Sequence, residues 1–175
     1  MTRWTRLRTL ACALLLTVSI GVFAAATPAA ASFGVFEIYN AGTHKCLAVP
    51  NTGYENYDPI VQAECGSYGT LWRDDIYYGW IRTVQNVDNE MCMIATGLYN
   101  GAPVVQQYCE FAEGSFWDMG PDYYPQPQQH QVAIKPYNTN FCLDLENGQS
   151  QDGVPMQVWQ CNPRTNNQKW VIYRF

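Results

Sequence analysis

A carboxylate and an indole lie near the end of the chain at a spacing that can hold them side by side. Asp144 lies two residues after Cys142, and Trp159 lies two residues before Cys161. Both segments alternate apolar and polar residues, and the Asn-Gly and Asp-Gly dipeptides between them are typical of turns. Because residues two apart share a face of a strand, this pattern predicts a hydrogen-bond acceptor fixed beside a flat aromatic surface.

The two cysteines set the expected pairing of these strands. If Cys142 lies opposite Cys161 in a disulfide, then Asp144 lies opposite Trp159. Directly opposed residues have Cβ atoms roughly 4.5–5.5 Å apart, and a twist or bulge widens that gap into a small cleft. We expect this pair to form the functional end of the molecule.

The first 31 residues have the composition of a secretory signal peptide. Three arginines precede an apolar run over 10–23, and three alanines supply a cleavage site before Ser32. The run is too short for a membrane anchor, and no other stretch approaches about 20 apolar residues. We predict a secreted, extracellular protein with no membrane span and one mature domain over 32–175.

The predicted mature chain is acidic. It retains seven basic and fifteen acidic side chains, a formal charge of −8. It has no basic stripe with which to displace counterions, so the composition argues against binding to nucleic acid or to an anionic membrane.

Six cysteines remain after the signal peptide, an even number that favours disulfides in an exported chain. Their separations of 19, 17 and 19 residues favour the pairs Cys46–Cys65, Cys92–Cys109 and Cys142–Cys161. Zinc binding is the less favoured alternative, since the sequence has no short Cys-x-x-Cys pair.

The cysteine spacing belongs to an internal threefold repeat, over about 35–79, 80–125 and 130–175. Each unit reads as strand, Cys-strand, Gly-rich loop, strand-Cys and Trp-strand, without a sustained helical period. Units too small to fold alone predict a closed all-β assembly around a shared core that contains Trp72, Trp117 and Trp170. Aromatic-rich segments at 73–80 and 118–129 are expected to be connections that pack on the barrel or, alternatively, contact a protein partner.

The third repeat resembles the ricin-B-type lectins, a β-trefoil family that includes the family 13 carbohydrate-binding modules. The resemblance depends on the joint occurrence of three motifs: Cys142-Leu143-Asp144, Trp159-Gln160-Cys161 and Gln168-Lys169-Trp170. It implies a β-trefoil with one disulfide in each repeat. It also implies a glycan or polysaccharide partner, of galactose or xylose type.

By position, the resemblance assigns the sugar contacts to Asp144, Trp159, Asn162, Asn167 and Gln168. A carboxylate accepts hydrogen bonds from sugar hydroxyls, an indole face stacks on a pyranose ring, and amides both donate and accept. The residues expected at the equivalent positions lack this chemistry: Ala48, Ala63 and Thr70 in the first repeat, and Ile94, Gln107 and Ser115 in the second. We therefore expect one sugar site, in the third repeat.

Catalysis and cofactors are not expected. The mature chain has two histidines and no nucleophile or metalloprotease motif, and nothing brings its carboxylates together for glycoside hydrolysis. The acidic loop after Asp144 does not match a helix-loop-helix calcium site. The alternative function is a non-catalytic β-trefoil that acts through protein contacts, such as the targeting subunit of a toxin or a hydrolase inhibitor.

Overall fold

The computed structural model describes residues 34–50, 55–78, 81–109, 114–120 and 130–175. The predicted signal peptide lies outside these residues, as does most of the connection predicted over 118–129. Within the described residues, no helix has the length and apolar character needed to cross a membrane.

The described part of the chain is built from strands, with one short 3-10 helix at Glu146–Gly148. The strands are β1 (Phe36–Asn40), β2 (Cys46–Ala48), β3 (Val61–Ala63), β4 (Trp72–Tyr78), β5 (Ile81–Asn86), β6 (Cys92–Ala95), β7 (Ala102–Gln107), β8 (Trp117–Asp118), β9 (Gln131–Val132), β10 (Lys135–Pro136), β11 (Phe141–Leu145), β12 (Met156–Gln160) and β13 (Trp170–Arg174).

Three antiparallel hairpins carry the cysteines, namely β2–β3, β6–β7 and β11–β12. The ends of the domain pair with each other, because β1 runs antiparallel to β13 along its whole length. This pairing satisfies the backbone groups of both terminal strands and closes the sheet around one core.

The three repeat tryptophans are fully buried in one hydrophobic cluster, as predicted. Each indole Nε1 donates to the carbonyl oxygen of the residue after the first cysteine of its repeat: Trp72 to Leu47 at 2.9 Å, Trp117 to Met93 at 2.8 Å and Trp170 to Leu143 at 2.9 Å. The same ring therefore fills the core and anchors a cysteine strand in every repeat.

The repeats are also locked to one another by their long loops. The loop of each repeat donates a backbone N–H to the third strand of the next repeat: Tyr57 to the Gln106 carbonyl at 2.9 Å, Gly101 to Val158 at 3.0 Å and Gly153 to Gln62 at 2.9 Å. The three contacts run in a cycle, so each repeat is held by a neighbour on either side.

The three predicted disulfides are confirmed. Their Cα–Cα distances are 4.9 Å for Cys46–Cys65 and 5.0 Å for both Cys92–Cys109 and Cys142–Cys161. These distances lie in the usual range for a disulfide.

The predicted strand register was wrong by two residues. Asp144 lies opposite Gln157 rather than Trp159, and Trp159 lies opposite Cys142. The second cysteine lies just past the end of β12, where its N–H donates to the Asn140 carbonyl at 2.9 Å, so the disulfide spans the pair diagonally. The same shift holds in the other repeats, since Ala48 lies opposite Val61 and Ile94 opposite Val105.

The segment predicted as a connection after the first repeat is mostly strand. Residues 72–78 form β4, which pairs with β5. Asp74 in β4 is buried and forms two ion pairs. Its Oδ2 lies 3.1 Å from Arg82 Nε, and its Oδ1 lies 3.6 Å from Arg174 Nη2. Asp74 is therefore paired inside the protein, and the segment is part of the sheet rather than a connection.

Candidate functional site

A cavity of about 380 Å³ lies beside the β11–β12 hairpin. All five predicted site residues line it, namely Asp144, Trp159, Asn162, Asn167 and Gln168. The rest of the lining consists of Asn147, Gln157, Gln160, Cys161 and Thr165. The register error does not separate Asp144 from Trp159, because a shift of two residues leaves both side chains on the same face.

Asp144 lies at the base of this cavity, with 5% of its surface exposed. Its Oδ1 accepts a hydrogen bond from Gln157 Nε2 at 2.9 Å, and its Oδ2 accepts one from Gln168 Nε2 at 2.9 Å. Two side-chain amides thus orient the carboxylate from opposite sides. Each oxygen keeps a further lone pair with which to accept another hydrogen bond.

Burial raises the pKa of Asp144, and the hydrogen bonds from Gln157 and Gln168 partly offset that effect. Desolvation disfavours the charged carboxylate, whereas donors to its oxygens favour it. Asp144 is also the one titratable side chain in the described lining, since Cys161 is held in a disulfide.

Gln168 connects the carboxylate to the rest of the cavity wall. Besides its bond to Asp144, the buried amide accepts a hydrogen bond at Oε1 from the Asn162 backbone N–H at 2.7 Å. Its Nε2 also approaches the Gln160 carbonyl at 3.3 Å. Gln168 therefore positions Asp144 and the loop after Cys161.

Trp159 forms one wall of the cavity and is 42% exposed, unlike the three repeat tryptophans. The edge of its ring faces Gly101 of the second repeat, where an added Cβ would lie 3.7 Å from Cζ3. The neighbouring Asn100 accepts a hydrogen bond at Oδ1 from the Gln160 N–H at 2.8 Å. The loop of the second repeat therefore borders the site in the third.

The asparagines shape the opposite wall. Asn162 accepts the Arg164 N–H at its Oδ1, 3.0 Å away, and the Asn167 carbonyl accepts the Leu145 N–H at 3.0 Å. Gly148 has a φ of +62°, and an added Cβ there would lie 2.5 Å from Asn167 Oδ1. A glycine is needed at this point because it alone combines the backbone conformation with room for the asparagine.

Sequence reasoning missed Gln157, which holds Asp144 directly. The register assumed from the cysteines placed Gln157 opposite Glu146, two residues beyond Asp144. The alternation of β12 nevertheless puts Gln157 on the same face as Trp159, and that pattern is the signal that could have identified it.

The second repeat has no carboxylate at the position equivalent to Asp144. Ile94 and Val105 occupy the places of Asp144 and Gln157, and they form a small buried apolar cluster with Cys92. A hydrocarbon pair here packs well but provides no hydrogen bond to a polar ligand.

In the first repeat, a different side chain accepts the backbone N–H that follows the second cysteine. Glu37 Oε1 accepts the Gly66 N–H at 2.7 Å and the Thr70 hydroxyl at 2.9 Å. Gly66 follows the second cysteine of its repeat, as Asn162 does in the third. Glu37 thus makes the backbone contact that Gln168 makes in the third repeat, without bringing a carboxylate to the position of Ala48.

Sequence comparison gives the class of protein to which this β-trefoil belongs. Residues 34–170 match the family described as the ricin-type beta-trefoil lectin domain. The chain therefore belongs to this family of carbohydrate-binding β-trefoils. None of the curated proteins compared with the chain matches it.

Solved structures confirm the β-trefoil fold. A designed threefold-symmetric protein, ThreeFoil, matches with a TM-score of 0.72 at 16% identity, over 81% of this chain and 99% of that one. The C-terminal half of an earthworm R-type lectin, in complex with GalNAc, gives 0.64 at 14% identity, over 81% and 99%. A ricin B-like lectin from Macrolepiota procera, in complex with lactose, gives 0.68 at 20% identity, over 82% and 97%.

Proposed function

We propose that this protein is a secreted, non-catalytic lectin with one carboxylate-anchored sugar site in the third repeat. The observation that carries the proposal is the pair of hydrogen bonds that hold both oxygens of Asp144 in a cavity that the exposed Trp159 also lines. The proposal that the protein is secreted rests on the first 31 residues and is compatible with the three disulfides.

The arrangement suits a neutral pyranose. The remaining lone pairs of Asp144 can accept two adjacent sugar hydroxyls, while the indole of Trp159 covers the apolar C–H face of the same ring. The amides of Asn162 and Asn167 stand near enough in the lining to donate to or accept from the remaining hydroxyls. An open cavity with a single aromatic wall is expected to bind one sugar with a Kd of roughly 1 mM.

The proposed ligand is a galactose- or xylose-type glycan. Two of the structural neighbours are lectins in complex with GalNAc and with lactose. Binding without catalysis is supported by the lining, where Asp144 is the one carboxylate among the described residues. Hydrolysis by paired carboxylates needs a second acid across the glycosidic bond.

The test compares the mature protein with Asp144→Asn and Trp159→Ala on a glycan array and by calorimetry with the best ligand. We expect each substitution to weaken binding by about tenfold or more. Asp144→Asn weakens hydrogen bonds to a charged group, which contribute roughly 1.5–3 kcal/mol each, and Trp159→Ala removes the aromatic surface that covers the sugar ring. Tyr173→Ala is the matched control, because this exposed aromatic residue lies outside the cavity lining. Full binding by a folded Asp144→Asn protein would contradict the proposed site.

A further inference from the structure

A second cavity, of about 460 Å³, lies between β1, the loop after Cys65 and the turn after β5. Its lining combines two carboxylates, from Glu37 and Asp88, with two aromatic side chains, from Tyr68 and Phe175. Among the described residues of this lining, none is a lysine, an arginine or a histidine. The cavity therefore carries negative charge next to apolar surface.

This cavity is not the first-repeat counterpart of the proposed sugar site. The sugar cavity lies beside a cysteine hairpin, and Asp144 and Trp159 line it from that hairpin. The first-repeat hairpin carries Ala48 and Ala63 two residues inside its cysteines, and neither alanine lines the second cavity. The carboxylate comes instead from Glu37 on β1, so a different kind of ligand is expected.

Glu37 is 8% exposed, and the protein supplies donors to one of its two oxygens. Its Oε1 accepts the Gly66 N–H at 2.7 Å and the Thr70 hydroxyl at 2.9 Å. Its Oε2 accepts no hydrogen bond from any described residue, and the side chain lines the cavity. A carboxylate that is nine-tenths buried is costly to leave with an unsatisfied oxygen. This oxygen therefore points to a donor that enters the cavity.

Asp88 repeats the arrangement from the start of the second repeat. Its Oδ2 accepts the Gly69 N–H at 2.7 Å, and its Oδ1 accepts no hydrogen bond within the described part of the chain. Glu37 and Asp88 thus hold the same short loop, at Gly66 and at Gly69, with one oxygen each. Two negative charges with one oxygen each to spare favour a cation that can donate hydrogen bonds.

Aromatic rings supply the apolar part of the cavity. Tyr68 is 43% exposed and Phe175 is 73% exposed. The ring of Phe175 packs edge to face on Tyr173, with the two ring centres 5.4 Å apart. Tyr173 lies directly opposite Glu37 in the β1–β13 pair, so these rings stand beside the buried carboxylate. Aromatic faces attract organic cations, whereas hard metal ions take a shell of oxygen ligands.

We propose that this cavity binds a primary alkylammonium ion, the group at the end of a lysine side chain. The ammonium donates to Glu37 Oε2 and Asp88 Oδ1, and its alkyl stem lies against Tyr68 and Phe175. A quaternary ammonium ion has no N–H to donate, and a metal ion has no apolar stem. Neither of them satisfies both halves of the lining. This site does not depend on sugar binding in the third repeat.

The test titrates the ¹⁵N-labelled mature protein with Nα-acetyl-lysine methylamide and follows its amide signals by NMR. We expect saturable binding with a Kd of about 1 mM. The Gly66 and Gly69 signals should shift most, because both N–H groups donate to the carboxylates that receive the ammonium. The same compound with its side-chain amine acetylated has nearly the same shape without the charge, and it should bind at least tenfold more weakly.

The variants separate the cavity from the general acidity of the protein. Glu37→Gln keeps a side-chain acceptor for the loop but removes the charge, and it should weaken binding about tenfold or more. Asp88→Asn, at an exposed residue, and Phe175→Ala should each weaken binding about threefold. Glu64→Gln is the matched control and should bind normally, since this exposed carboxylate pairs with Lys45 outside the lining. Thermal unfolding confirms that each variant is folded.

Equal binding of the charged and acetylated compounds, or no shift at Gly66 and Gly69, would refute the ammonium site. Equal losses in Asp88→Asn and Glu64→Gln would show attraction to the acidic surface in general and would overturn it as well. Tighter binding of Ca²⁺ alone or of tetramethylammonium than of the lysine compound would assign the cavity to a different cation. Asp144→Asn should bind the lysine compound normally even where sugar binding is lost, so the two sites can fail separately.

Discussion

Asp144 shows how a residue with an ordinary local role in a turn becomes the centre of a site. A carboxylate two residues after a cysteine does not by itself identify a binding site, since aspartates near Asn-Gly turns commonly stabilise the turn itself. The distinguishing feature is that its two hydrogen-bond donors, Gln157 and Gln168, come from separate segments and leave its outer lone pairs facing the cavity.

Sugar binding is expected to weaken in acid at a higher pH than an unperturbed aspartate would allow, because burial raises the pKa of Asp144. Protonation removes an acceptor, so affinity should fall by up to about tenfold for each pH unit below that pKa. Titration calorimetry between pH 7 and pH 3.5, with circular dichroism to confirm folding, measures this. Affinity that stays constant to the bottom of this range would contradict a role for the ionised carboxylate.

Protonation of Asp144 should have the opposite effect on stability: it weakens sugar binding but favours the folded state. A raised pKa means that the folded chain binds the proton more tightly than the unfolded chain does. The contribution of Asp144 to folding is therefore fully present below its unfolded pKa and is lost as the pH rises through its folded pKa. At neutral pH the proposed site therefore keeps a charged carboxylate that its burial disfavours.

Replacing Gln168 by alanine should weaken both sugar binding and folding, since the buried amide holds Asp144 and the Asn162 backbone. We expect a loss of about 1–3 kcal/mol in the free energy of unfolding. Urea titration and calorimetry measure the two effects. Arg164→Ala in the same loop is the control, because the bond to Asn162 uses only the Arg164 backbone. Unchanged affinity in a folded Gln168→Ala protein would remove its positioning role.

At the scale of elements, the site is formed by a hairpin whose surroundings come from two other repeats. The second-repeat loop lies against Trp159, and the third-repeat loop is held by Gln62 of the first repeat. Gln62 is fully buried, donates to the Gln149 and Gln151 carbonyls at 2.6 Å each, and accepts the Thr43 hydroxyl at 3.0 Å. The loops and third strands therefore form the joints between repeats.

Gln62→Ala is expected to destabilise the protein by about 1–3 kcal/mol, because the Gln149 and Gln151 carbonyls and the Thr43 hydroxyl lose their hydrogen bonds to this buried amide. Urea unfolding of the variant beside Gln131→Ala, an exposed glutamine in β9, measures the difference. A loss no larger than that of the control would mean that water or another group satisfies the loop equally well.

At the scale of the whole molecule, one arrangement occurs three times around a common core. Each repeat contributes a buried tryptophan, a disulfide and a loop that locks the next repeat. Chemistry that binds polar ligands is not repeated in the same way, since the place of Asp144 is taken by Ala48 and Ile94 in the other repeats. The contacts that hold the fold together therefore recur in all three repeats, whereas the aspartate and its two amide donors occur in the third.

Removing the second-repeat disulfide with a Cys92→Ala/Cys109→Ala double substitution should lower the free energy of unfolding by about 3 kcal/mol, as expected for a 17-residue loop. The sugar affinity of the folded fraction should be unchanged, because this disulfide does not line the cavity. The corresponding third-repeat variant should lose affinity as well, since Cys161 forms part of the lining. If both double variants changed the sugar affinity equally, the difference expected between the second-repeat and third-repeat disulfides would be contradicted.

The sequence by itself determined the repeat, the cysteine pairing, the buried tryptophans and the face shared by Asp144 and Trp159. These features follow from spacing and from the period of two along a strand, which are local properties of the chain. The segment around Asp74 was predicted as an aromatic-rich connection but forms most of β4. The ion pairs of Asp74 with Arg82 and Arg174 form only when these parts of the chain come together in the folded protein.

Only the tertiary structure decided the register, the second donor to Asp144 and the contribution of neighbouring repeats to each site. A shift of two residues preserves every face, so alternation in the sequence cannot distinguish Gln157 from Trp159 as the partner of Asp144. The contacts of Gly101 and Tyr57 with the next repeat depend on how the three units close on one another. That closure joins residues far apart in the chain, and no local pattern specifies it.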